Sequence, residues 1–252
     1  MTNGLDQGDP ISGICYLIYN VDILRITKTK DSERSLLYMD DILILATGKD
    51  FHETHNKIRN IMNRTDGIFT WAKTHNCEFG IDKFQLLNIS RKMIPHTLNL
   101  KKRVQLPWRA LMLGNHCIPS AETAKFLGVV VNNKLNWKAQ GATALAKGQS
   151  WIIQFTRMTR VSHGTTARYI HKLYLTIAVP RMLYAADIFL TPQKKGGIRT
   201  DKDRPNQVIV NKLASIQRQV AIMITGAMRT TATDILNIMA GLLPFRTLID
   251  KH

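Results

Sequence analysis

The stretch 36-LLYMDDILILA-46 sets two adjacent carboxylates, Asp40 and Asp41, inside an otherwise apolar run. A buried carboxylate costs several kcal/mol unless something pairs it, and two side by side cost more. The short apolar flanks, with β-branched members, read as strand, two-residue turn, strand over 35-SLLYMDDILILA-46. The pair therefore either closes a hairpin or holds a metal ion at a rigid sheet edge. Asp is common in turns, and taken alone the turn is the simpler reading. Carboxylates fixed in this way also suit Mg²⁺, which binds one or two protein carboxylates and takes its other ligands from water and substrate phosphates. Two such ions ~3.5–4 Å apart can activate a hydroxyl nucleophile and stabilise a leaving pyrophosphate.

Composition narrows what such a metal would work on. Lys and Arg number 35 against 18 Asp and Glu, a formal charge of +17 over 252 residues. That surplus suggests a polyanionic partner, with nucleic acid ahead of an acidic membrane. A hydrophobic content of 44% fits a folded chain. Cys15, Cys77 and Cys117 lie far apart with no CxxC pair, which is no disulfide framework and fits a reducing, intracellular compartment. No apolar run reaches the ~20 residues of a membrane span. The start, MTNGLDQGDPIS, lacks the basic and apolar stretches of a signal peptide.

Outward from the hairpin, residues 4–13 (GLDQGDPISG) read as a loop, and Ile14, Leu17, Ile18, Val21 and Leu24 follow at helical spacing. Residues 50–75 read as helical, with Phe51, Ile58, Ile61 and Met62 on one face. The segment 77-CEFGIDKFQLLNI-89 reads as a turn into a strand. Phe126 to Val131 reads as a strand followed by an Asn-Asn turn, a second hairpin. From about residue 138 helices take over, with stripes Trp151, Phe155, Met158, then Ile170, Leu173, Tyr174, Ile177, then Leu213, Ile216, Val220, Met223, Ile224. These stripes are read as core. The segment 192–205 is a charged surface loop or linker. Thr231 with Asp234 predicts a capping box before a last helix, ended by Gly241 and Pro244. His52, His55, His75 and Cys77 match no zinc spacing, and the histidines read as polar helix-surface residues.

Four ordered motifs carry a family resemblance. YMDD (Tyr38 to Asp41), GLDQGDPIS before it, FGIDKFQLL after it and FLGVVVNNKLNW further on resemble, in order, the palm motifs of reverse transcriptases. The later segments 168-RYIHKLYLTIAVPRMLYAADIF-189 and 211–245 resemble the region beyond the polymerase core in non-LTR (LINE-type) retrotransposons. The resemblance implies an α+β fold: a partial palm over 1–137, an antiparallel sheet with helices, then a mostly helical thumb or connection region over 138–252. It implies Asp40 as principal metal ligand and Asp41 as its less direct neighbour, with two Mg²⁺ ions in a complete site. Gln7, Gly8, Pro10 and Ser12 would lie along template and incoming nucleotide, and Tyr38 and Met39 would border the primer end. Lys83 would neutralise the triphosphate and protonate pyrophosphate; Phe126, Leu127 and Gly128 would form the primer grip.

The implied partners are an RNA template, a DNA primer and deoxynucleoside triphosphates, in the nucleus or a cytoplasmic ribonucleoprotein. The family also needs a metal-binding Asp on a strand upstream of the QG loop. The chain is expected to lack that strand and the amino-terminal polymerase segment that carries it, and to stop before any RNase H or endonuclease domain. Asp187 does not substitute, and Asn132 and Gln140 stand where relatives often carry Asp and His. Three readings follow: an RNA-directed DNA polymerase fragment inactive alone, a non-catalytic basic RNA/DNA-binding remnant, and a decayed product with exposed sheet edges. The helical half is expected to be better formed, its contacts being local.

Overall fold

The computed structural model describes residues 9–90, 92–96, 99–159, 164–190 and 207–251. The chain is α+β and divides into two compact units, Met1–Leu135 and Asn136–His252. All the strands among the described residues lie in the first unit, as two-stranded antiparallel sheets.

In the first unit, Asp9 caps α1 (Pro10–Ile26), accepting a hydrogen bond from the Ile11 N–H at 2.9 Å, with Pro10 at the first turn where its missing N–H costs nothing. Residues 10–13 are thus helix rather than the end of a loop. The helical spacing is borne out, but the residues that carry it are not the buried ones. Ile14, Leu17, Ile18, Val21 and Leu24 are exposed, while Asn20, Ile23 and Ile26 are buried. α1 is apolar on every side, so periodicity has no single face to find, and packing on its neighbours selects the buried one.

The hairpin follows: β1 (Glu33–Tyr38) pairs with β2 (Asp41–Ala46) from Glu33↔Ala46 to Tyr38↔Asp41. Its base is anchored by Glu33, 2% exposed, which accepts from the Lys28 N–H at 3.0 Å and pairs with Arg64 at 3.3 Å. α2 (Phe51–Asn63) and α3 (Ile68–Thr74) replace the continuous helix expected over 50–75. Arg64 leaves the helical region at ψ 161°, and the Thr-Asp-Gly that follows is turn chemistry. The core of this unit gathers Ile23, Ile61, Met62, Ile68, Trp71 and Leu86.

Beyond α3 a short 3₁₀ turn, Ile81–Lys83, stands where a strand was expected. A strand needs a ladder, and among the described residues this segment forms one parallel bridge, Leu86↔Ser120. Two hairpins not anticipated follow, β3 (Met93–His96) with β4 (Asn99–Gln105) and β5 (Leu111–Leu113) with β6 (His116–Ile118). The expected strand Phe126–Val131 is instead the tip of a hairpin, β7 (Thr123–Phe126) with β8 (Val129–Asn132). Its turn is Leu127–Gly128, both at positive φ (48° and 78°), the type I′ pattern, and Asn132 ends β8.

The second unit is helical: α4 (Lys138–Met158), α5 (Ala167–Leu173), a π turn at Tyr174–Ala178 leading into α6 (Val179–Met182), α7 (Ala186–Phe189), α8 (Gln207–Thr225), α9 (Thr233–Ala240) and α10 (Phe245–Lys251). α8 packs against α4, α5, α9 and α10. Phe155, Ile170, Tyr174, Leu213, Ile216 and Val220 are buried as their stripes predict, whereas Met158 is exposed. Gly148 lets α4 approach closely: a Cβ there would lie 2.6 Å from Met182 Sδ. The capping box does not form. Ala232, not Thr231, is the N-cap of α9, and its methyl group has no oxygen to offer the first-turn N–H groups; the Thr231 carbonyl accepts from Arg218 at 2.7 Å. Gly241, at φ 65°, closes α9, but α9 is not the last helix, since α10 begins straight after Pro244. The loop expected at 192–205 lies outside the described residues.

Candidate active site

The Tyr38↔Asp41 pair is the last rung of the β1–β2 ladder, so the two-residue turn is Met39–Asp40 and Asp41 already belongs to β2. Of the two turn residues only Met39 has positive φ, 51°, which matches the type II′ pattern of sign. Glycine is favoured at that position, and a long side chain there is an outlier of the kind found where surrounding structure holds a functional turn.

Both aspartates are exposed, and so are Leu36, Tyr38 and Leu45. The premise of two buried charges therefore fails. A two-stranded ribbon is covered on one face only, where Ile42 and Ile44 meet the core, so its tip keeps its carboxylates in water. No desolvation has to be offset at Asp40 or Asp41.

The start of α1 lies against this turn. Gly13 sits where a Cβ would be 3.5 Å from the Met39 methyl carbon, which brings the first turn of α1, with Pro10 and Ser12, beside the hairpin tip. Farther along, Thr27 Oγ1 and Ser35 Oγ are 2.9 Å apart. Gln7 and Gly8 lie outside the described residues.

Lys83 ends the 3₁₀ turn, exposed, with its aliphatic stem over Gly80. It makes no ion pair or hydrogen bond to Asp40 or Asp41 among the described residues. The segment that follows it is tied to the β7–β8 hairpin: Gln85 Oε1 accepts from the Lys125 N–H at 3.3 Å, and the Leu86 carbonyl accepts from the Ala121 N–H at 2.8 Å. Lys83 and the Phe126–Gly128 tip thus belong to connected segments.

Among the described residues no three or more His, Cys, Asp or Glu gather as a metal site. His55, expected on the surface, is buried, with Nε2 2.9 Å from Asn88 Oδ1, while Asn88 Nδ2 donates to the Arg109 carbonyl at 2.7 Å. Facing Asn88 across the unit removes it from the surface face that its spacing from His52 suggested. His75 stacks on Trp71 at 4.3 Å, and the Tyr19 hydroxyl donates to the His75 carbonyl. The hydrogen-bonded Cys77 thiol pushes the Tyr19 hydroxyl above its ordinary pKa. Glu33 and Asn88, which anchor the segments around the hairpin, carried no signal in the sequence because their partners are 31 and 33 residues away.

Residues 1–131, just over half of the chain, match the family model described as reverse transcriptase (RNA-dependent DNA polymerase), and the chain belongs to that family. No curated protein and no solved structure matches it. The family's activity is RNA-directed DNA synthesis, which brings with it a nucleic-acid template and nucleotide substrates. No helix among the described residues is long and apolar enough to cross a membrane.

Proposed function

We propose that this chain is the carboxyl-terminal part of the polymerase of a non-LTR (LINE-type) retrotransposon, a partial palm over 1–137 followed by a thumb-like region over 138–252, acting inside the cell. The observation that carries the reading is the hairpin tip: in a chain of the reverse transcriptase family, Asp40 and Asp41 stand exposed on a constrained two-residue turn.

Two consecutive accessible carboxylates are hard oxygen donors and suit Mg²⁺, which needs no more than one or two of them from the protein. When bound, a pair of such ions would lower the charge on the nucleotide phosphates and favour attack of a primer 3′-hydroxyl on the α-phosphate. Asp40 holds the principal position and Asp41 the neighbouring one. Tyr38 and Met39 border the primer end and nucleotide, Pro10 and Ser12 with Gln7 and Gly8 follow the template side, and Phe126, Leu127 and Gly128 hold the primer. Lys83, which has no bond to either aspartate, serves the triphosphate and then the leaving pyrophosphate.

This chain's described residues bring no third carboxylate to the pair. In this reading the family's further metal-binding aspartate comes from another strand, and the outer edges of β1 and β2, which pair with no other strand among the described residues, together with the exposed apolar residues of α1, support an amino-terminal polymerase segment as the partner. Primer extension on an RNA template with Mg²⁺ tests this. The expected result is no synthesis by the chain alone, synthesis when it is joined to a polymerase segment with the additional Asp, and loss of that synthesis on Asp40→Asn. Template-dependent extension by the chain alone overturns the incomplete-site reading, and an active Asp40→Asn variant overturns the assignment of the hairpin. A second reading, a basic nucleic-acid-binding remnant without chemistry, draws on the +17 charge.

A further inference from the structure

On the second unit, α4 and α6 set two cations over two aromatic rings in a crossed arrangement. Lys147 Nζ, from α4, lies 5.7 Å from the centre of the Tyr184 ring just beyond α6. The Arg181 guanidinium, from α6, lies 5.7 Å from the Trp151 ring on α4. The crossing follows from the packing at Gly148, where the α4 backbone meets Met182: Lys147 and Arg181 are the immediate chain neighbours of that contact, and each reaches the aromatic of the opposite element. The patch is open, with Arg181 exposed, Tyr184 47% exposed, and Lys147 and Trp151 half-buried.

Charge singles out the unit as well. Residues 136–252 hold seventeen Lys and Arg against five Asp and no Glu, +12 of the chain's +17. The carboxylate nearest to the patch in sequence is Asp187, exposed on α7. Exposed cation–π pairs are weak, so a cation can transfer to a phosphate while its ring accepts another π system. Unpaired bases offer such faces and their backbone offers the phosphates; a duplex hides the faces in its stack.

We propose that the α4–α6 face binds single-stranded RNA, with bases stacking on Trp151 and Tyr184 and phosphates meeting Lys147 and Arg181. The proposal rests on the reading that the chain works on an RNA template, whose uncopied part is single-stranded. A simple staple between α4 and α6 would use the same four residues, but its loss would alter stability and leave RNA affinity untouched.

The test is fluorescence anisotropy with the full chain, without divalent metal or nucleotide, using labelled oligo(U), oligo(dT) and an RNA duplex of equal length. Oligo(U) should bind more tightly than the duplex. Trp151→Leu with Tyr184→Leu should weaken oligo(U) at least tenfold while leaving the salt dependence unchanged. Lys147→Gln with Arg181→Gln should lower the slope of log affinity against log salt by about 1.4, two phosphate contacts at ~0.7 each. Thermal melting reports whether each variant folds, and if the leucine pair does not, the glutamine pair, which keeps both rings, decides. Unchanged affinity and slope in the folded variants, tighter binding of the duplex, or oligo(dT) bound tenfold more tightly than oligo(U) overturns the proposal. Since no catalysis enters the measurement, RNA binding through other residues sinks this face alone, whereas failed primer extension with binding here intact sinks the polymerase reading alone.

Discussion

Asp50 organises the start of α2, the helix that packs on β2 of the hairpin. Its carboxylate accepts from the Glu53 N–H at 2.8 Å, and Glu53 reaches back to the Lys49 N–H at 2.8 Å, close to a capping box. The Glu53 N–H holds Asp50 below the usual carboxylate range, and the Lys49 N–H, then Lys57, does the same for Glu53. Both groups bind protons less readily when folded, so their stabilisation is complete above their unfolded pKa values of about 4 and is lost as pH falls through the lower folded values. Urea midpoints measured from pH 6 downward should fall in acid, and Asp50→Asn, which retains an acceptor for the Glu53 N–H, should flatten that fall. An unchanged acid dependence in the variant would show that the cap does not carry it. Asp50 and Glu53 are three apart in sequence, so this cap was open to sequence reading in a way that Glu33 with Arg64 was not. The tip is a mixed case: the residue types of YMDD read directly, but the exposure of Asp40 and Asp41 depends on how many strands flank them.

At the scale of elements, the β1–β2 and β7–β8 hairpins were legible because their apolar runs are short and β-branched. The second turn was misplaced because Asn132–Asn133 is the commoner turn chemistry, while the glycine that makes the turn, Gly128, sits inside an apolar run. Helix faces were legible where one face alone is apolar, as in α8 of the second unit, and illegible in α1 of the first, where every face is. Buried polar links escape pattern reading altogether. Gln217 on α8 accepts from the Tyr174 hydroxyl at 3.1 Å and donates to Asn237 Oδ1 at 3.1 Å and the Leu243 carbonyl at 2.8 Å, joining the π turn, α9 and the approach to α10. Burial raises the Tyr174 hydroxyl far above its ordinary pKa, so it stays a neutral donor. Gln217→Leu leaves these groups without their partner and should destabilise the helical unit by about 2–3 kcal/mol, read as a shift in denaturation midpoint. A shift of only a few tenths would mean that water replaces the amide without loss.

Across the whole molecule, composition suggested a polyanionic partner, and the reverse transcriptase family to which the chain belongs works on one, a nucleic-acid template. What composition could not reveal is the uneven placement of charge against structure: a strand-bearing unit that carries the aspartate pair, and a helical unit that carries most of the positive surplus. The account turns on whether the hairpin tip of the first unit holds a divalent cation. Paramagnetic broadening of backbone amide signals by Mn²⁺, which takes the same oxygen ligands as Mg²⁺, addresses that in the chain itself. Asp40 and Asp41, with Met39 beside them, should broaden at the lowest Mn²⁺ concentrations, and Asp40→Asn should remove that preference. Broadening spread evenly over exposed carboxylates such as Asp22, Asp50 and Asp187, with Asp40 and Asp41 no different from the rest, would contradict it.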